Sequence, residues 1–203
     1  MLISLYRRLA QCDTAVRNQG TKDGLVGFEL EAKKFGVIGA GAIGTRVARI
    51  AKAFGCEVYI YSRTEKEIEG AQFVSMEELL SVCDIVSLHV PLNKETTHLI
   101  DKGKLALMKE NAVLINTARG PVVDSEALAE ALNQGKIAGA AVDVFETEPP
   151  VSKDYPLFHA KNTLVTPHVA FATKEAMVKR AHIAFQNVKA WQGGTPQNVI
   201  GEP

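Results

Sequence analysis

The chain has 203 residues, 46% of them apolar, and its 23 basic and 23 acidic side chains leave a formal net charge of zero. That supports one substantial globular core with a small appendage; the balance, without a Lys/Arg run, gives no electrostatic footprint for nucleic acid or an anionic membrane. Cys12, Cys56 and Cys83 lack zinc spacing and the even count of a disulfide framework, and no signal peptide or run of ~18 apolar residues is present, so a soluble cytoplasmic protein without a metal site is expected.

Leu2, Leu5, Leu9 and Val16 recur about one helical turn apart, which predicts an amphipathic helix over residues 2–16. A polar, glycine-bearing connector follows to residue 34. Phe35-Gly36-Val37-Ile38 then reads as a short buried strand, and Val47, Ile50, Ala51 and Phe54 mark a helix to Phe54. Between them lies Gly39-Ala40-Gly41-Ala42-Ile43-Gly44, and Gly55 to Tyr61 completes a βαβ unit. Strand, glycine turn and helix in that order predict a dinucleotide site. The first glycine allows φ > 0, the second admits a pyrophosphate to the backbone, and the third lets helix and strand pack closely, with the diphosphate on the helix N-terminus.

Further strands are predicted at residues 72–74, 84–90, 112–115, 138–142 and 163–166. Ser75 with Glu78 starts a helix to Val82, and another spans residues 102–108. Asp124 or Ser125 caps a helix to about Asn133, stopped by Gly135. Asn116 to Pro121 reads as a turn and residues 143–161 as a long irregular loop, and a closing helix runs from Lys174 to about Trp191. The continuous apolar runs suit strands covered on both faces. Alternating strands and helices predict an α/β fold with a doubly wound parallel sheet, a leading helix and a long C-terminal helix.

In such a sheet ligands bind beyond the carboxyl ends of the strands, where His89, Arg119, Asp143 with Glu148, and His168 stand. Singly, Arg119 reads equally as a surface cation, Glu148 as a solvated loop carboxylate and His168 as a polar cap beside Pro167. Together they bring a guanidinium, a carboxylate and an imidazole to the rim where the glycine turn would direct a nicotinamide. That set suits hydride transfer to a 2-keto acid. An imidazole, His168, titrates near neutrality and can protonate the carbonyl oxygen. A carboxylate, Glu148, fixes its tautomer and raises its pKa. A guanidinium, Arg119, binds the substrate carboxylate bidentately without releasing its own proton.

Five motifs in order carry a resemblance: Gly39 to Gly44, His89-Val90-Pro91-Leu92, Ile115-Asn116-Thr117-Ala118-Arg119-Gly120, Asp143-Val144-Phe145-Glu146-Thr147-Glu148-Pro149, and Thr166-Pro167-His168. On these the chain resembles the cofactor-binding half of the D-isomer-specific 2-hydroxyacid dehydrogenases. The resemblance implies a Rossmann fold, with Arg119, Glu148 and His168 as the catalytic set. It further implies that Gly39, Gly41, Ala42, Ile43, Gly44, Ser62, Arg63, Thr64, His89, Val90, Pro91, Thr117, Ala118, Arg119, Asp143 and His168 hold the cofactor. Phe171 is implied at the substrate pocket.

Members that prefer NAD place an acid at the end of the second strand, where this sequence has Ser62, followed by Arg63 and Thr64. A cation with hydroxyls and no acid favours NADP(H) over NAD(H); the other reading has Arg63 stacking on adenine, with either nucleotide accepted. The resemblance also implies about a hundred residues of substrate domain ahead of the glycine turn. Here 38 residues precede Gly39. The expected organisation is a crossing helix and connector (1–34), a nucleotide-binding domain (35–172) and a C-terminal helix and tail (173–203), with the substrate domain largely absent. Leu2, Leu5, Ile183 and Phe185 are then expected to be exposed or covered in a homodimer. The functional expectation is a small 2-keto or 2-hydroxy acid oxidoreductase, of which this is the cofactor-binding half. The alternative is a non-catalytic dinucleotide-binding and dimerisation module.

Overall fold

The computed structural model describes residues 1–64 and 67–199. They divide into two compact units, Met1–Pro167 and one that opens at His168. In the first, seven parallel strands form one sheet: β1 (Lys34–Ile38), β2 (Glu57–Tyr61), β3 (Ala71–Phe73), β4 (Ile85–Leu88), β5 (Val113–Asn116), β6 (Gly139–Val142) and β7 (Thr163–Val165). Their order, β3-β2-β1-β4-β5-β6-β7, is that of a doubly wound Rossmann-like sheet, and it reverses between β1 and β4. Ile38 at the end of β1 is level with Tyr61 on one side and Leu88 on the other, so these three strands end together. That common edge opens the crevice.

Successive strand residues alternate between two cores, because side chains point to opposite faces with period 2. Ile38, Val86, Leu88, Leu114, Ala140 and Val142 join one core with α4 (Met76–Val82), α5 (Lys102–Leu107) and α6 (Ser125–Asn133). Val37, Ile60, Ile85, Val113, Ile115 and Ala141 join the other with α3 (Ala42–Ala53) and Tyr6. Both faces are covered, hence the continuous apolar runs of β4, β5 and β6, buried at every position. Leu79 and Leu114 are wholly enclosed, and truncating either to alanine costs about 2–5 kcal/mol. The caps read from sequence are present. Ser75 Oγ accepts from Glu78 N–H at 3.1 Å, and Asp124 Oδ1 accepts from Ala127 N–H at 3.0 Å.

The structure adds detail that the sequence pattern does not give. The leading helix is two helices, α1 (Leu2–Tyr6) and α2 (Leu9–Arg17), separated at Arg8, whose backbone is left-handed (φ 50°). The apolar spacing runs through the break and so conceals it. Leu2 and Leu5, expected to be exposed or covered in a homodimer, are half-buried against the second core of the chain itself, while Leu9 and Val16 beyond the break face outward. On α3 the buried positions are Gly44, Ala48 and Ala51, whereas Ile50 and Phe54 are exposed. Small residues let this helix lie close to the sheet, which an apolar count misses. Two single-turn 3₁₀ helices, Gly120–Val122 and Pro156–Phe158, occupy the segments read as turn and loop.

In the second unit, Thr173 Oγ1 caps α7 (Lys174–Gln192) by accepting from Ala176 N–H at 3.1 Å, and Gly193 with Gly194 (φ 74°) ends it. None of its residues is buried, and Ile183 and Phe185 are exposed. Among the described residues no helix is long and apolar enough to cross a membrane.

Candidate functional site

The glycine turn leaves β1 between the ends of β2 and β4. Gly39 N–H donates to Tyr61 O at 2.8 Å, and His89 N–H donates to Ile38 O at 2.8 Å. Gly39 has φ 101°, a region that glycine alone enters at little cost. A Cβ on Gly44 would stand 1.9 Å from Gly39 O, so the third glycine is required for α3 to approach the turn at all. Gly41 differs from both. Nothing lies within 4 Å of where its Cβ would be, so the backbone is open on the side a ligand would approach. Gly41 is also the N-cap of α3, which has no side-chain cap bond and no acid in its first turn. Its first N–H groups and the positive end of the helix dipole are thereby left for an anion. This turn fits a dinucleotide's diphosphate.

A cavity of about 370 Å³ extends from the turn between the β2 and β4 ends. It gathers Gly39, Gly41, Ser62, Arg63, Thr64, His89, Val90 and Pro91 from the expected cofactor residues. A second, of about 380 Å³, gathers Ile43, His89, Val90, Pro91, Thr117, Ala118 and Arg119. His89, Val90 and Pro91 line both, as an element between the two halves of one extended ligand would. Burial pushes the His89 imidazole down to about 4, and its Nε2 lies 2.9 Å from Ser87 Oγ. His89 is therefore neutral near pH 7 and lends no positive charge to a phosphate.

Of the remaining expected residues, Ala42 and Gly44 belong to the first turn of α3, while Asp143 and Glu148 follow β6 and line neither cavity. Asp143 is fully buried, its N–H donating to Asn116 O at 2.9 Å and its Oδ1 accepting from Thr166 Oγ1. This ties the ends of β5, β6 and β7.

The Arg119 turn is fixed from beneath. Asn116, 1% exposed, accepts from Ala118 N–H at 3.0 Å and donates through Nδ2 to Arg119 O at 2.9 Å. A Cβ on Gly120 would come within 2.0 Å of the Phe145 carbonyl, so the turn is seated on the segment after β6. Arg119 itself is exposed, with Nη1 donating to Ala118 O at 2.7 Å. Of the two glutamates beyond β6, Glu146 accepts from Ser125 Oγ at 2.6 Å and from the Tyr155 hydroxyl. Burial, reinforced by that Glu146 bond, pushes the Tyr155 phenol up. Glu148 lies two residues further along an exposed stretch.

Arg119 and Glu148 belong to the first compact unit and His168 opens the second. His168 is half-buried, has a left-handed backbone (φ 55°), and its ring meets Phe171 edge-on at 5.5 Å. Non-glycine residues in that region are uncommon and recur at functional positions.

Tyr61, Asn93, Glu95, Thr96 and Leu99 also line the first cavity, and Leu92 the second. None of these six residues is marked as a cofactor contact by the sequence, although Leu92 stands in the His89-Val90-Pro91-Leu92 motif. The signal was available in Pro91, which opens a loop at the switch point, followed by the Asn93–Thr96 turn. In that turn Asn93 Oδ1 accepts from Glu95 N–H at 2.9 Å and Thr96 N–H at 3.1 Å.

Comparisons with known proteins agree with this geometry. Residues 1–170 match the family model of the D-isomer specific 2-hydroxyacid dehydrogenase NAD binding domain. A glyoxylate reductase of Aeropyrum pernix is 47% identical over 87% of this chain and 54% of its own length. That of Thermococcus litoralis is 42% identical over 100% of this chain and 64% of its own. Among solved structures, D-lactate dehydrogenase from Aquifex aeolicus, complexed with NAD and lactic acid, superposes with a TM-score of 0.88 at 34% identity, covering 96% of this chain and 64% of that one. An acyclic imino acid reductase in complex with NADPH and D-Arg gives 0.91 at 34% identity, over 98% and 64%. The chain thus spans between half and two thirds of these relatives. The chain belongs to the D-isomer specific 2-hydroxyacid dehydrogenase family, and its residues 1–170 match that family's NAD binding domain.

Proposed function

We propose that the chain binds NADP(H) in preference to NAD(H) through residues 35–172 and serves an oxidoreductase acting on small 2-keto and 2-hydroxy acids. The observation that carries the reading is the turn at Gly39, Gly41 and Gly44, open at Gly41 and closed at Gly44, at the head of an uncapped helix. Relatives named glyoxylate reductase and hydroxypyruvate reductase supply the substrate class. The NADP(H) preference rests on Ser62, Arg63 and Thr64 in the first cavity, since hydroxyls and a guanidinium complement a 2′-phosphate.

A bound nicotinamide would supply the hydride that the substrate's carbonyl carbon accepts. The chain's own residues have the remaining tasks. Arg119, on a turn held by Asn116 and Gly120, pairs with the substrate carboxylate and polarises the neighbouring carbonyl. His168 donates a proton to the carbonyl oxygen. Glu148 orients that imidazole; Glu146 is committed to Ser125 and Tyr155, which supports Glu148 as the acid for this role. Joining the three in one reaction rests on their motifs and on family membership. A cytoplasmic homodimer is proposed with this activity: Cys12, Cys56 and Cys83 are all free thiols, and α7 carries exposed apolar residues such as Phe185 and Trp191.

A steady-state assay with NADPH and glyoxylate, hydroxypyruvate or pyruvate tests the reading. Turnover that falls about 10²–10⁴-fold in His168→Ala supports it. Nucleotide binding with no turnover on any of the three would support the non-catalytic module instead.

A further inference from the structure

The acid that is missing from the end of β2 is present in the same cavity, on its opposite wall. Glu95 stands on the loop after β4, and its Oε2 lies 2.5 Å from Nη1 of Arg63. The loop is built to keep it there. Asn93 Oδ1 holds Glu95 N–H at 2.9 Å, Thr96 Oγ1 donates to Pro91 O at 2.6 Å, and Thr97 Oγ1 donates to Asn93 O at 2.9 Å. Asn93, Glu95, Thr96 and Thr97 are thereby tied into one turn beside the crevice, from which the Glu95 side chain reaches the Arg63 guanidinium. Both partners remain exposed, at 72% and 68% of their side-chain surface. Such a pair adds little to stability, typically ~0.2–1 kcal/mol.

We infer that Glu95 is a specificity-determining residue for the nucleotide. It occupies the Arg63 guanidinium that a 2′-phosphate would need, and so holds the NADP(H) preference below the level that Ser62, Arg63 and Thr64 would otherwise give. The inference rests on the dinucleotide reading proposed above. A 2′-phosphate must displace the carboxylate from Arg63 and then share the cavity with it, like charge against like charge. A 2′-hydroxyl requires neither step. Glu95 therefore weighs on one nucleotide and not on the other.

The test is calorimetric titration of NADPH and NADH, at low and moderate salt, into the unaltered chain, Glu95→Gln, Arg63→Ala and the double variant. Glu95→Gln is expected to tighten NADPH roughly tenfold, leave NADH within about twofold, and lose most of its gain at higher salt, as expected for exposed charges. In the Arg63→Ala background the gain from Glu95→Gln shrinks, because the guanidinium it would release is gone. An unchanged NADPH-to-NADH affinity ratio in Glu95→Gln, or a fall in that ratio, overturns the assignment. So does a gain undiminished in the absence of Arg63. Failure of all four proteins to bind either nucleotide would overturn the site reading itself, and the assignment with it.

Discussion

Two ion pairs of the same length, 2.5 Å, stand at opposite ends of the sheet in opposite surroundings. At the end where β1 and β4 begin, Asp84 is nearly buried and accepts from Lys109 Nζ, from Lys34 N–H at 3.0 Å and from Asn111 Nδ2 at 3.3 Å. At the end where β1, β2 and β4 stop, Arg63 and Glu95 face water across a cavity. Where water is kept out, polar groups close on one another, and leaving one unpaired is costly. Where the chain leaves a crevice, the same chemistry contributes little to folding and remains available to a ligand. One end of the sheet should therefore govern stability and the other function, and substitutions can separate the two.

The largest effect is expected at the functional end. Arg119→Ala should lower turnover about a hundredfold or more with the melting temperature nearly unchanged and NADPH affinity falling far less than turnover, because the exposed guanidinium, which also lines the second cavity, is proposed to act chiefly on the substrate carboxylate. Parallel melting and binding measurements that fell together would break the separation.

Next comes a contrast within the glycine turn. Gly44→Ala forces a Cβ against Gly39 O and should destabilise the fold by about 3 kcal/mol, read as a lower denaturant midpoint. Gly41→Val meets open space in extended backbone (φ −70°, ψ −169°), so stability should hold within about 1 kcal/mol. Its nucleotide affinity should fall by roughly thirtyfold or more, because the side chain fills the diphosphate's place. Equal destabilisation by both would remove the basis for calling Gly41 the open position.

At the other end, Asp84→Asn should cost about 2 kcal/mol while leaving nucleotide affinity untouched. The pH dependence follows from the same contacts. Burial pushes the Asp84 carboxyl up, but the Lys109 hydrogen bond, the Lys34 N–H and the Lys109 charge outweigh it and hold the group below its ordinary 3.8. Because the folded value is the lower one, the contribution is complete above the unfolded value of ~3.9 and is lost as pH falls below it. Acid unfolding curves should show that Asp84→Asn narrows the stability gap to the unaltered chain as pH drops below about 4. A constant gap would mean that the carboxylate's charge is not what matters. The smallest effect is at the exposed pair, where Glu95→Gln should move stability by less than about 0.5 kcal/mol.

The sheet was legible because β4, β5 and β6 are near-continuous apolar runs and the other strands, shorter or more mixed as in Ala71–Phe73, are set off by glycine, proline and capping residues. The break at Arg8 was not, because a left-handed residue interrupts the backbone without interrupting the spacing of Leu5 and Leu9. The apolar spacing located α3 but did not tell its buried face, because packing there is governed by the smallness of Gly44 and Ala48 and not by the size of Ile50. The positions of Gly39, Ser62, His89 and Arg119 along the cavities were legible because each follows a strand whose end fixes its place. Glu95 was not legible in this way. It reaches Arg63 across 32 residues of sequence, through a loop whose direction is set by side-chain hydrogen bonds at Asn93 and Thr96.

We propose that the crevice at the carboxyl ends of β1, β2 and β4 holds a dinucleotide and favours the 2′-phosphorylated form. Calorimetric titration of the unaltered chain with NADPH and with NADH, side by side at low ionic strength, addresses it most directly. Saturable one-to-one binding of both, tighter for NADPH, is the predicted result. Tighter binding of NADH, or heat of dilution alone for both, would contradict it.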